Sequence, residues 1–280
     1  AAAMGFIGRV LGAAARLCPA LTELRDFEWA RALLAGGAGK IDLSKKKFGH
    51  TEAAVLGALL PRCATALRDL NVRNNNIGPE GATAMASAFT TLSALQTLNI
   101  QENALGADGW LAVMAGLEMC PNLASLSGVA CRGLVAGGLT DLQLGEKEAG
   151  LSMGFVRYLG RSGSTLASLD MRSSNIGPDG ALLVAPALAA LWALQTLDLQ
   201  DNNIGRRGWE AVMEGLEPCT RLERLNGIAC CGLIAGSLSE LQLAGNKAED
   251  GFALSFVRYL PRSASTLVSL DMRDNELGVV

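Results

Sequence analysis

Four kinds of residue in this chain have the chemistry of a catalytic or ligand-holding centre, and spacing decides how far each goes. The stretch GGAGKID from Gly36 sets Lys40 behind a run of glycines, the arrangement that cradles a phosphate with backbone amides and an ammonium group. The phosphate pattern G-x-x-x-x-G-K-[ST] needs Gly where Leu34 stands and a magnesium-binding hydroxyl where Ile41 stands, so it fails at two positions. The one histidine, His50, follows Lys45, Lys46 and Lys47 without a Ser, Cys or Asp patterned to make it a base, and reads as a solvated surface group. Asp and Glu are numerous but fall on strand and turn positions, with no isolated apolar setting to raise a carboxyl pKa for acid catalysis.

The seven cysteines (Cys18, Cys63, Cys120, Cys131, Cys219, Cys230 and Cys231) contain no C-x-x-C pair and sit in apolar periodic segments. Cys120 with Cys131, and Cys219 with Cys230, form two equally spaced pairs in separate modules, which does not assemble one zinc tetrahedron. They read as buried, reduced thiols of a cytosol-like compartment, with Cys230 and Cys231 open to differing in exposure and reactivity. No catalytic residue, metal site or cofactor is expected.

Composition points to a globular chain with a large buried core. The chain has 280 residues, 50% of them hydrophobic, and a mean hydropathy of +0.27, ample for a large core. A net charge of −3 and a pI near 5.4, with Lys and Arg scattered, provide no basic stripe, so nucleic acid is not an expected partner. No apolar run has the roughly 18 residues that a membrane-spanning helix needs, so membrane insertion is not expected. The opening AAAMGFIGRVLGAAARLCPALT, with Arg9 and Arg16 and no acid, has the look of a targeting peptide. A start at Ala1 in place of Met reads as a processed product or a fragment.

The elements that must position any such surface are repeats. The phrase L-x-x-L-x-L/V/I-x-x-N/S-x-I/L-G occurs as LRDLNVRNNNIG from Leu67, LQTLNIQENALG from Leu95, LASLDMRSSNIG from Leu166, LQTLDLQDNNIG from Leu194 and LVSLDMRDNELG from Leu267. Shorter copies keep only the strand portion: LASLSGV from Leu123, LTDLQLG from Leu139, LERLNGI from Leu222 and LSELQLA from Leu238. Alternation in L-x-L makes a short strand with one apolar face. The following Asn75, Asn103, Asn202 and Asn275 suit a tight turn, where Ser174 stands in one copy. Trp110, Val113, Met114 and Leu117, like Trp209, Val212, Met213 and Leu216, then have helical spacing. No strand-turn-helix unit covers its own apolar face, so the units must stack.

A longer period overlies the short one. Ile77 and Ile176, Trp110 and Trp209, and Cys120 and Cys219 all keep one separation of 99 positions, while Phe155 and Phe256 show two residues gained after Leu243. This divides a single domain, 1–280, into a partial module 1–66, modules 67–165 and 166–266, and the start of another at 267–280. The short third unit of each module, LASLSGVACRGL or LERLNGIACCGL, reads as a loop-only return. Residues 1–17 align with the helix that starts near Trp110, which explains the apolar start without a leader. LLAGGAGKIDL aligns with LVAGGLTDLQL, a copy without lysine, which removes the phosphate reading of Lys40.

With units near 28 residues, the x-N-x-I-G turn, a G-x-x-G helix start and cysteines at helix ends, nearly the whole chain resembles the ribonuclease-inhibitor-like class of leucine-rich-repeat proteins. The resemblance implies a curved α/β solenoid with a parallel sheet on the concave face, helices on the convex face and protein partners bound on the concave side. The chain also resembles leucine-rich-repeat activators of small GTPases, without their acidic carboxy-terminal tail. The repeat pattern stops at DNELGVV, so the carboxy-terminal end reads as uncapped and open to a neighbouring subunit.

If the leucines of L-x-L point inward, their neighbours make the outer face of the sheet. One row is Asn71, Asn99, Ser127, Gln143, Asp170, Asp198, Asn226, Gln242 and Asp271, and the next contains Arg73, Gln101, Arg172, Gln200 and Arg273. This polar face with a recurring Arg is the candidate partner-binding surface. Each Arg also has an acid in reach, Glu102 or Asp201, which would make the row ordinary solvated sheet. The expectation is a non-catalytic, cytoplasmic protein-interaction scaffold, with a fixed subunit of a larger assembly and a small-GTPase regulator as alternatives.

Overall fold

The computed structural model describes residues 30–133, 136–147, 149–243 and 252–273. They fall into two compact units, one up to Ala136 and one from Gly137 onward. The first 29 residues, including Cys18, lie outside the described residues, as do Asn275 and the final GVV.

In the first unit a short helix α1 (Arg31–Ala35) leads into β1 (Lys40–Asp42), then α2 (His50–Leu59), β2 (Asp69–Asn71), α3 (Gly78–Phe89), β3 (Thr97–Asn99) and α4 (Gly106–Leu117). Each strand is three residues long because only the middle side chain faces the core: Ile41, Leu70 and Leu98 are buried between more exposed neighbours. The strands pair in parallel and in line, Ile41 with Leu70 and Leu70 with Leu98. Helices α2, α3 and α4 pack side by side in the second layer. α4 buries the expected Trp110, Val113, Met114 and Leu117. The helices approach closely at glycines. A Cβ on Gly116 would lie 2.2 Å from the Ala86 carbonyl oxygen, so no other residue fits there without moving the backbone of α3.

The second unit repeats this plan with β6 (Asp141–Gln143), α5 (Ala149–Leu159), β7 (Ser168–Asp170), α6 (Gly177–Leu188), β8 (Thr196–Asp198) and α7 (Gly205–Gly215). Leu142, Leu169 and Leu197 align across its strands, and Trp209, Val212, Met213 and Leu216 fill the core under α7. A second sheet in this unit pairs β11 (Glu240–Gln242) with β12 (Ser269–Asp271), and α8 (Phe252–Val257) lies between them in sequence. Phe252 of α8 packs its ring against Trp209, tilted by 59° with 4.5 Å between ring centroids.

The short third unit corrects the sequence reading. It is no plain loop: β4 (Ser125–Leu126) pairs in parallel with β3, then turns back through Ser127 and Gly128 into an antiparallel β5 (Val129–Ala130). Both turn residues have positive φ, 51° and 78°, the geometry of a two-residue hairpin turn whose twist matches the strands. In the second unit β9 (Arg224–Leu225) and β10 (Ile228–Ala229) do the same through Asn226 and Gly227, at 51° and 78°. Each five-stranded sheet therefore ends on a strand running the wrong way for a further parallel partner.

Candidate functional site

The turns after β2, β3, β7 and β8, strands that carry candidate surface residues, are each built round one polar side chain. Asn103 is fully buried. Its side-chain amide donates to the carbonyl oxygens of Val72 (2.9 Å), Ile100 (2.9 Å) and Gln101 (3.0 Å), and its carbonyl accepts from the Ile77 amide at 3.4 Å. Asn202 repeats the set one module later, donating to Met171 (2.8 Å), Leu199 (2.9 Å) and Gln200 (3.1 Å) and accepting from the amides of Ser174 (2.9 Å) and Ile176 (3.2 Å). Each Asn thus satisfies backbone groups of its own coil and of the coil before it, groups that would otherwise be buried and unpaired. The Asn at this place is accordingly a structural group rather than a ligand.

Asn75 does the same for the β1 coil, donating to the oxygens of Leu43 (2.9 Å) and Val72 (2.8 Å) and accepting from the amides of Lys46 (2.9 Å) and Phe48 (3.0 Å). Ser174 takes its place in the second unit. Its hydroxyl donates to Leu144 O at 3.0 Å and meets the hydroxyl of Ser152, from α5, at 3.2 Å. Sequence reasoning passed over Ser152; the signal was a lone serine on the buried side of a helix where the other copies have Ala53 and Ala253.

The outer face of the sheets carries the expected rows, with their last-strand residues partly committed. The carbonyl or carboxylate oxygens of Asn71, Asn99, Asp170, Asp198 and Asp271 accept from the backbone amide two residues on, of Arg73, Gln101, Arg172, Gln200 and Arg273, at 3.0 to 3.3 Å. Gln143 and Gln242 are exposed beside them. Ser127 and Asn226 do not join the row. Both are buried in the hairpin turns, where the Ser127 hydroxyl accepts from the Ile100 amide at 3.3 Å and the Asn226 carbonyl accepts from the Leu199 amide at 2.8 Å.

Each Arg of the second row meets an acid. Arg73 pairs with Glu102, whose carboxyl lies below the usual range because Arg73 and then Asn74 donate to it. Arg172 reaches Asp170 at 2.8 Å and Asp198 at 3.5 Å, where Asp201 had been the expected acid, and Arg273 reaches Asp271 at 2.6 Å. Arg273 holds the Asp271 carboxyl down to about 2. Asp198 goes the other way. Burial, more than the neighbouring Asp170, raises its pKa, although the carboxylate also accepts from the Gln200 amide and has Arg172 beside it. In the first unit a depression of ≈ 270 Å³ opens on the same face, lined by Lys40, Asp42, Asp69, Asn71, Thr97 and Asn99 with Ile41 and Leu70 beneath. Lys40 is the first residue of β1, not part of a phosphate loop.

The remaining reactive types sit in structural roles. Cys63, Cys120, Cys131, Cys219 and Cys230 are buried free thiols, and burial pushes Cys120 and Cys219 to about 11 and Cys131 and Cys230 to about 12. Cys120 donates to Phe89 O at 3.2 Å and Cys219 to Leu191 O at 3.3 Å, so these thiols close helix ends. Cys231 is exposed. His50 is half-buried at the start of α2, not freely solvated, with its Nε2 buried and unpaired among the described residues. Among the described residues no group of three or more His, Cys, Asp or Glu side chains is placed to hold a metal ion, and no helix is long and apolar enough to cross a membrane.

A family model for the leucine-rich repeat matches residues 64–86, 164–185 and 194–213. No curated protein matches the chain. Among solved structures, the crystal structure of a TDR receptor aligns over 85% of this chain and 56% of its own, at 10% identity and a TM-score of 0.27. The chain thus spans little more than half the length of that receptor chain, and the likeness is too slight to transfer any detail. The matched repeats, alternating strands and helices, and parallel sheets make this a leucine-rich-repeat α/β fold of solenoid-like arrangement, with no closed barrel among the described residues.

Proposed function

We propose that the chain is a non-catalytic, cytoplasmic protein-interaction scaffold that takes its partner on the exposed face of its parallel sheets, through Asn71, Arg73, Asn99, Gln101, Gln143, Asp170, Arg172, Asp198, Gln200, Gln242, Asp271 and Arg273. The observation that carries this reading is the register: Asn71 stands beside Asn99, Gln143 beside Asp170, and Asp170 beside Asp198, at neighbouring strands roughly 4.8 Å apart. Asn75, Asn103, Ser174 and Asn202 hold the turns after β2, β3, β7 and β8, so the polar side chains of those strands are presented without the ordering entropy that a flexible surface would lose on binding. The ~28-residue repeat spacing supports the ribonuclease-inhibitor-like class.

The test is a quantitative affinity purification of the tagged chain from its native extract, beside a variant carrying Arg73→Glu, Gln143→Arg and Gln242→Arg. A protein recovered with the original chain and lost with the folded variant supports the sheet face as the site. A partner retained undiminished by the variant moves binding elsewhere.

A further inference from the structure

The loop after β1 carries a charge that its sibling loops lack. It reads Lys45-Lys46-Lys47 in the first copy, Glu146-Lys147-Glu148 in the second and Gly245-Asn246-Lys247 in the third. Lys45, Lys46 and Lys47 are all exposed, and none has an ion-pair partner among the described residues. Glu102, whose charge Lys45 senses, already accepts from Arg73 and Asn74. A run of uncompensated like charge repels itself, and the sibling copies do without it.

Backbone bonds hold this loop in one shape. The Lys45 amide donates to Arg73 O at 3.0 Å, and the Lys46 and Phe48 amides donate to the Asn75 side chain at 2.9 and 3.0 Å. Phe48 is buried and anchors the far end of the loop. Three ammonium groups are therefore presented from a fixed backbone, with only their own side chains left to order on binding.

Such a patch suits an anion, and three kinds of partner supply one. A nucleic-acid strand needs basic groups along several phosphates, and here Asp42, Asp69 and Glu102 interrupt the positive charge on β1, β2 and the turn after β3. A lipid surface is held by basic groups backed by exposed apolar side chains, and the apolar neighbours of this loop, Leu43 and Phe48, are both buried. A protein segment with clustered Asp and Glu meets neither obstacle, since lysines are point charges that take separate carboxylates from many directions. The matching rim of the second unit, where Glu146 and Asp201 are exposed, repels the same segment and so directs it to the first.

We infer that Lys45, Lys46 and Lys47 dock an acidic segment of the partner, an assignment that rests on the reading of the sheet face as that partner's site. The test is amide chemical-shift mapping on the isotope-labelled full chain, titrated to about 2 mM with a Gly-Ser peptide that carries the run Asp-Glu-Asp-Glu, a range that registers weak surface ion pairs. The shifts centre on Ser44 to Phe48, shrink between about 20 and about 150 mM salt, and are absent with the Asn-Gln-Asn-Gln counterpart. Lys45→Gly with Lys46→Asn, the residues of the third copy, weakens the peptide by about tenfold or more, while Arg206→Gln with Arg207→Gln, which removes the same charge from α7, leaves it unchanged.

Shifts spread over both units, or unmoved by the lysine changes, overturn the docking site. Tighter binding of a thymidine oligonucleotide or of phosphatidylserine vesicles than of the peptide overturns the assignment to a protein segment. The two readings fail separately. A native-extract partner that is lost with the lysine changes but kept by Arg73→Glu, Gln143→Arg and Gln242→Arg supports the loop and places the failure on the sheet face. A peptide that shifts nothing, beside a partner still lost with those sheet-face changes, overturns the loop and leaves the sheet face standing.

Discussion

The turn after β2 and the turn after β7 occupy the same place in two copies of one module and are closed by different chemistry. In the first, Asn75 feeds three carbonyls, those of Leu43, Val72 and Arg73, and takes two amides, those of Lys46 and Phe48, from the loop that follows β1. In the second, the corresponding loop between Leu144 and Leu166 is two residues shorter than that between Leu43 and Leu67, and the turn residue is Ser174, backed by Ser152 where the first copy has Ala53. A third copy agrees: it has the longer spacing from Leu243 to Leu267, Ala253 and Asn275 together. The turn residue is therefore set by what the neighbouring loop offers. A longer loop presents amides that need an acceptor on a long side chain, while a shorter one leaves a carbonyl that two hydroxyls can reach.

The largest effect that bears on this comparison is expected where both copies agree. Asn202→Ala leaves five backbone contacts unmade inside the core and should destabilise by about 3–5 kcal/mol in urea titration, and Asn103→Ala should do likewise. A loss near 1 kcal/mol would mean that the turn relaxes to pair itself, and the ladder would lose its claim to hold the strand ends.

A middle-sized effect sharpens the contrast itself. Ser174→Asn should overpack against Ser152 and cost about 1–3 kcal/mol, and adding Ser152→Ala should recover about 1 kcal/mol or more, a coupling readable in a double-mutant cycle. Ser174→Ala alone should cost about 1 kcal/mol, because Ser152 still reaches Leu144 O. Additive single and double changes would show the serines to be independent.

The smallest effect lies on the outer face, where Asn71 and Asn99 of the first unit become Asp170 and Asp198 in the second. The pKa of Asp198 is raised in the fold by burial, so its contribution is fully present below 3.8, the unfolded value, and is lost as pH rises through the folded value. Asp198→Asn, which restores the residue of the first unit, should remove that slope. Stability profiles of the two chains between pH 4 and 7 should diverge only in that window, and parallel profiles would show that the carboxyl is solvated after all.

The repeat ruler made most of this architecture legible. The inward leucines, the helix faces of Trp110 and Trp209 and the buried cysteines follow from periodicity, because burial on one face is what the period encodes. The hairpins were missed although Asn226-Gly227 between Leu225 and Ile228 is a strong two-residue turn signal; four-residue strand pairs are too short to show alternation. The surface rows were read from alternation alone, which does not tell that Ser127 and Asn226 turn inward in the hairpins or that Asp170 is largely buried. Nothing in one sequence tells that Asp170 closes its own turn and grips Arg172, because an acid two residues before an arginine has the same spacing whether or not the two side chains meet.

The antiparallel strand that finishes each five-stranded sheet also acts as a counter. A parallel repeat sheet has no internal limit to its length, since every coil offers its successor the same edge. Here the edge is turned round after the fourth coil, so a single coil of ~28 residues inserted beyond β5 or β10 would find no matching strand to extend. Growth by copying must then proceed in whole blocks that bring their own terminator, which is the size of step this chain displays between Trp110 and Trp209.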